Sequence, residues 1–142
     1  MRLSDLLNVE YVKSEPTEGI TRVQVCDLML QPNGILHGGI SAWLAENCAN
    51  MAAISGFSPD EAHPVGLNLE STHMLPVMPG DTIETHARLE HGGGRTQIWS
   101  IEQKRLSDGA TFNVSRLTVY IKRLHKAPTE APASQQPAPS QA

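Results

Sequence analysis

Cysteine is scarce in this chain. Cys26 and Cys48 are the only two in 142 residues, and they form no CxxC pair. Two thiols cannot build the framework of a disulfide-stapled secreted domain, so both are expected to be reduced and buried. Long apolar runs are also missing. No stretch approaches the roughly 18 to 20 apolar residues that a bilayer crossing needs, and no basic segment leads into an apolar core and a small-residue cleavage site. The expectation is a cytoplasmic protein with no membrane partner. Nor is there an excess of positive charge, since 11 Lys and Arg stand against 15 Asp and Glu for a net charge of −4. A basic field is the usual footprint of nucleic-acid binding, and this chain has none. Its histidines, His37, His63, His73, His86, His91 and His125, are scattered, with no HExxH or paired-cysteine spacing, so no metal site is expected.

What is present fits one domain of ordinary size, 39% hydrophobic and 18% charged. A short helical turn capped by Ser4 opens the chain, and a strand over 9–14 follows. Alternation of Ile20, Arg22, Gln24 and Cys26 with Thr21, Val23, Val25 and Asp27 predicts a strand over 20–28. From Gly38 the pattern changes. Ile40, Trp43, Leu44, Asn47, Met51 and Ile54 recur at steps of three and four in an alanine-rich stretch, which predicts one long helix ending near Gly56. Four more strands are expected at 65–74, 81–90, 96–105 and 110–124, joined by turns at Pro79-Gly80, Gly92-Gly93-Gly94 and Ser107-Asp108-Gly109. The resulting class is α+β, a curved antiparallel sheet wrapped around one long central helix. Residues 1–125 make the domain, and the Ala, Pro, Ser and Gln of 126–142 read as a disordered tail.

The chemistry concentrates in Gln31-Pro32-Asn33-Gly34-Ile35-Leu36-His37-Gly38-Gly39, which runs straight into the helix. A helix start has unsatisfied N–H groups at the positive end of the dipole, and these can polarise a carbonyl and stabilise an oxyanion. Gly38 and Gly39 allow a substrate close to that backbone. A plainer reading has the same weight on composition alone: a turn, a helix entry, and His37 capping a backbone group. Glu46 shifts the balance. Its neighbours at three and four residues are Ala42, Ala45, Ala49, Asn50 and Ala53, and a helix apolar or small almost all round is expected to be buried. A buried carboxylate needs a reason. Asn50, one turn later, could hydrogen-bond it or hold a water beside it. Helix-start donors, a carboxylate and a water-holding amide are the minimum equipment for acyl hydrolysis.

These residues resemble the acyl-CoA thioesterases of the hotdog superfamily. Within it they are similar to the group that includes the glutamate-dependent hydroxybenzoyl-CoA thioesterase, phenylacetate-pathway thioesterases and the proofreading thioesterase of enterobactin synthesis. The resemblance covers about 3–124 and runs from the Gln31–Gly39 segment and Leu44-Ala45-Glu46 through Val65-Gly66, Thr72-His73, Pro76, Gly80-Asp81, His91, Gly93 and Trp99. It implies that Glu46 acts as nucleophile or general base on the thioester, two roles that the sequence leaves open. It implies that Gly38 N–H binds the carbonyl, with Gln31 and His37 orienting it. It also implies a homodimer, assembled into a homotetramer, with the active site at the dimer interface and no cofactor. Thr72 and His73 would line the acyl or pantetheine end, and Gly93, Gly94, Arg95 and Lys122 would meet the coenzyme's phosphates. The sequence departs from the family at Asn50, often serine or threonine in relatives, and at Glu70, where asparagine is common.

The function implied is hydrolysis of an aromatic or medium-chain acyl-CoA to free acid and CoA. Two alternatives stay open: a non-catalytic acyl-CoA binding module, and an enoyl-CoA hydratase or dehydratase on the same fold.

Overall fold

The computed structural model describes residues 1–124, so the tail expected at 126–142 and His125 lie outside it. The chain begins with one helical turn, α1 (Leu3–Leu6), then strands β1 (Glu10–Glu15) and β2 (Glu18–Gln24) and the long helix α2 (Gly38–Ser55). Four strands follow: β3 (Ala62–His73), β4 (Thr82–Gly92), β5 (Thr96–Arg105) and β6 (Ala110–Arg123). All pair antiparallel in one sheet of order β1-β2-β4-β5-β6-β3, so the first strand after α2 lies at the far edge. α2 packs against all six strands, and the sheet curls around it. This is the α+β architecture expected from the order of elements.

Three of the boundaries that differ from the sequence pattern have a visible cause. The first turn is capped at Arg2 rather than Ser4, where the Asp5 carboxylate accepts the Arg2 N–H at 3.1 Å. β2 stops at Gln24 because the chain tightens into a 3-10 turn, Asp27–Met29, with Met29 N–H donating to the Cys26 carbonyl at 3.0 Å. β3 starts at Ala62 and includes Pro64, which an edge strand tolerates because its missing N–H need not meet a neighbour.

Small side chains seat the helix. The buried residues of α2 are Ser41, Leu44, Ala45, Cys48, Ala49, Ala52 and Ala53, a stripe at steps of three and four. Trp99, Ile101, Leu117, Val119 and Ile121 meet it from the sheet. Around its N-terminal half, Val23, Met29, Leu44, Ile83 and Phe112 form a second cluster. Each large aliphatic side chain buried in this way contributes about 1.5–3 kcal/mol. From β2, Gly19 permits the close approach, since a Cβ there would lie 2.9 Å from the Cys48 carbonyl oxygen.

The helix is not buried all round, as its composition had suggested. Trp43, Asn47 and Met51 are half-buried on one side, and Ala42, Glu46 and Asn50 on the other. β1 closes the first, with Asn47 Nδ2 donating to Tyr11 Oη at 2.8 Å. The second faces β3. Among the described residues no helix is long and apolar enough to cross a membrane.

The cysteines also part company. Cys48 is buried with its Sγ 3.6 Å from the Thr85 carbonyl oxygen, and burial pushes its thiol up to about 12. Cys26, expected to be buried too, is exposed because β2 ends just before it. The native protein should therefore give one thiol to an aromatic disulfide reagent at neutral pH, with the second reacting only on unfolding. Cys26→Ser should abolish the native reaction, and fast labelling of both thiols would contradict this packing.

Candidate active site

The segment before α2 is a closed excursion. Leu30 and Leu36 pair across it, Gln31 N–H donates to the Ile35 carbonyl at 2.8 Å, and Gly34 N–H donates to the Gln31 carbonyl at 2.9 Å. Gly34 has φ +83°, in the left-handed region that glycine enters without a Cβ clash. The excursion delivers His37 to the N-cap of α2. There His37 Nδ1 accepts the Gly39 N–H at 2.8 Å, while Ile40 and Ser41 N–H reach the His37 carbonyl at 3.0 and 3.2 Å. One donor of the first turn remains. Among the described residues Gly38 N–H has no partner.

His37 is thus the N-cap of α2, and Gly38 N–H is the donor that the cap leaves without a partner among the described residues. Gly39, grouped with the substrate contacts from sequence, has its N–H committed to His37.

His73, the last residue of β3, stands over the helix start. A Cβ on Gly38 would come within 2.7 Å of His73 Nε2, so the imidazole sits there only because residue 38 has no side chain. Gln31, Gly38, Ser41 and His73 line a groove of about 300 Å³ together with Val77 and Phe112. Its wall is pinned, with Leu36 N–H donating to the Val77 carbonyl at 2.9 Å and Arg105 Nη1 to the Pro76 carbonyl at 2.7 Å. The Gln31 amide turns toward the loop and donates from Nε2 to Asn33 Oδ1 at 2.8 Å.

Glu46 lies eight residues further along α2, about 12 Å up the axis. Its carboxylate fits against β3 where Gly66 leaves room, since a Cβ on Gly66 would overlap Glu46 Oε1. The pairing of β3 with β6 shifts between Gly66 and Asn68, a bulge beside the carboxylate. Asn50, one turn beyond, keeps a buried Oδ1 without a hydrogen-bond partner. Such an oxygen can accept from a bound water or substrate group. Glu46 is half-buried rather than fully buried because β3 is the edge of the sheet.

One chain therefore gathers Gln31, His37, Gly38 and His73 at the helix start, and Glu46 with Asn50 further along. It does not bring the two groups together. Reacting atoms must approach to about 3–3.5 Å, and no single carbonyl can meet both groups across such a gap.

The remaining candidates scatter. Thr72, expected beside His73, faces the other side of the sheet, because side chains alternate along a strand, and Glu70 shares that outer face opposite Arg116. Gly93, Gly94 and Arg95 form the β4–β5 hairpin, joined to the end of β6 by Ile121 N–H donating to the Arg95 carbonyl at 2.7 Å. Lys122 is exposed nearby. Arg123, which the sequence reading passed over, donates to the Gly94 carbonyl at 3.2 Å and lies 5.3 Å from the Phe57 ring centroid. Its signal was only its place at the end of an alternating strand. Asn113, Ser71 and Ser115 were also passed over, because polar residues in strands read as outward-facing until the register is known.

A sheet curled around one helix thus carries a helix-start donor with an adjacent imidazole and, apart from them, a carboxylate, the equipment that acyl hydrolysis uses. The family model described as the thioesterase superfamily matches residues 33–111, and the chain belongs to that family and has its hotdog fold. It is 31% identical to a 1,4-dihydroxy-2-naphthoyl-CoA hydrolase of Listeria monocytogenes, over 89% of this chain and 100% of the relative. It is 36% identical to a putative esterase of Vibrio cholerae, over 85% of this chain and 79% of that one. A thioesterase structure from Haemophilus influenzae superposes with TM-score 0.78 at 27% identity, covering 87% of this chain and 85% of the other. The protein is a thioesterase, a hydrolase of thioester bonds.

Gly66→Ala should dislodge the Glu46 carboxylate without unfolding the edge strand. Thioester hydrolysis is expected to fall about 10²-fold with the melting temperature nearly unchanged. Undiminished turnover would show that this fit is not needed.

Proposed function

We propose that the protein hydrolyses an acyl-CoA thioester to free acid and CoA in sites shared between two copies, without a metal or organic cofactor. The observation that carries this reading is the unpartnered Gly38 N–H at the positive end of α2, with the His73 imidazole over it. Such a donor stabilises the oxyanion that forms as a thioester carbonyl is attacked. Glu46 is too far along the same helix to serve that carbonyl, so Glu46 of the partner subunit supplies the carboxylate, with Asn50 beside it. Gln31 and His37 frame the carbonyl end. The carboxylate either attacks the carbonyl carbon, releasing CoA thiolate and leaving an anhydride that water opens, or draws a proton from the water that attacks directly. Both routes end in acid and thiol.

The exposed edge of β3 supports a homodimer, and the open outer sheet face supports its assembly into a homotetramer. Gly93, Gly94, Arg95 and Lys122 suit the coenzyme's phosphates as backbone donors and cations. The Listeria relative's name supports an aromatic acyl group, with medium-chain acyl groups next. The cytoplasm is the compartment where such substrates occur.

Assay of a panel of aromatic, short and medium-chain acyl-CoAs, with enoyl-CoA hydration measured alongside, tests the reaction. Thioester cleavage is the expected outcome, and hydration or binding without turnover would replace it. Glu46→Ala or Glu46→Gln should lower turnover by about 10²–10⁴-fold while the dimer and CoA binding persist. Mixing Glu46→Ala chains with Gly38→Val chains should restore activity, because each hybrid dimer then holds one intact site. No recovery on mixing would place the site within one chain. Single turnover in isotopically labelled water separates the two routes, since only the anhydride can leave label in Glu46.

A further inference from the structure

His73 presents Nε2 to the site, and its other ring nitrogen is held from behind. Asn113, on the inner face of β6 and wholly buried, places its side-chain Nδ2 2.8 Å from His73 Nδ1. The same Nδ2 donates to Ser71 Oγ at 2.9 Å, and Asn113 Oδ1 accepts from Ser115 Oγ at 2.7 Å. The two serine hydroxyl oxygens lie 3.0 Å apart.

Counting protons fixes the direction of this network. Each hydroxyl has one proton. With the proton of Ser115 given to Asn113 Oδ1, Ser71 gives its own to Ser115, and a ring closes in which each hydroxyl donates once and accepts once. One Nδ2 proton enters that ring through Ser71. The second has a single acceptor left, His73 Nδ1. Turning the amide over would aim both Nδ2 protons at Ser115 alone, leaving one without a partner in a fully buried site. Nδ1 must then be unprotonated, and the neutral ring carries its proton on Nε2, beside Gly38.

We infer that Asn113 is a positioning residue, which through the Ser71–Ser115 pair holds His73 as the Nε2–H tautomer so that a second N–H donor faces the groove next to Gly38 N–H. The consequence for turnover rests on the hydrolytic reading above; the tautomer does not. His73 then donates to the thioester carbonyl or to the departing thiolate and takes no proton from water.

Two-bond proton–nitrogen spectra of the full chain labelled with nitrogen-15 histidine test this, with the His73 signal assigned by its loss in His73→Gln. The expected pattern is a protonated Nε2 and a bare Nδ1. In Asn113→Asp, nearly the same shape, the new carboxylate accepts a proton from Nδ1 instead of donating to it. Nδ1 should become protonated, and kcat should fall about tenfold or more with little change in KM. Asn113→Leu should leave both tautomers populated and fall between. A protonated, neutral-ring Nδ1 in the wild-type spectrum, or wild-type kcat in Asn113→Asp, overturns the proposal. If the variants do not fold, the wild-type spectrum decides alone. If the wild type hydrolyses no acyl-CoA, the proposed function fails while the spectrum still tests the tautomer.

Discussion

Everything in this molecule depends on how closely α2 lies against the sheet. Ala45, Ala49, Ala52 and Ala53 have no exposure at all, and their short side chains bring the helix backbone down onto Trp99, Ile101, Leu117 and Val119. Close packing of this kind tolerates little displacement, so the helix axis is held with respect to both sheet edges. That rigidity sets where the first turn of the helix ends, and hence where the free Gly38 N–H points. It also sets how far Glu46 stands from β3.

Two glycines turn this packing into a site. At Gly38 the missing side chain admits the His73 imidazole, and at Gly66 it admits the Glu46 carboxylate. In each case a polar group of one element occupies space that an alanine on the other would deny it. The His73 contact is at the last residue of β3 and Gly66 lies in its first half, and β3 is one of the two edge strands of the sheet. A carboxylate beside an open edge is only half-covered by its own chain. The buried, unpartnered Asn50 Oδ1 next to it marks the same unfinished flank.

Polar side chains inside the sheet are the other unusual feature. Asn113 and Gln103 are wholly buried, and Gln103 Nε2 donates to the Ser41 carbonyl at 3.1 Å and to Thr85 Oγ1 at 3.0 Å. Burying amides costs free energy unless their hydrogen bonds are made, and each made bond fixes an orientation. The interior near the helix start is therefore specified by direction as well as by volume. The cluster farther along, of Trp99, Leu117, Val119 and the alanines, is set mainly by volume, with Trp99 Nε1 donating to Gln97 Oε1 at 2.9 Å.

Much of this was legible in the chain itself. Period-two alternation and turn residues gave β5 and most of β4 and β6, and steps of three and four gave α2, because those periods are local properties of the backbone. The Gln31–Gly39 segment and Glu46 declared themselves by composition and by resemblance. Local pattern could not say that Thr72 faces away while His73 faces in, because β3 contains a bulge whose position depends on β6. Nor could it show Asn113 behind His73, 40 residues away, or that Gly39 N–H serves His37. The sequence by itself determined the elements, their order and the glycine-bearing helix start with its free backbone donor. Only the tertiary structure decided which glycine admits which side chain, because strand pairing sets what stands opposite each.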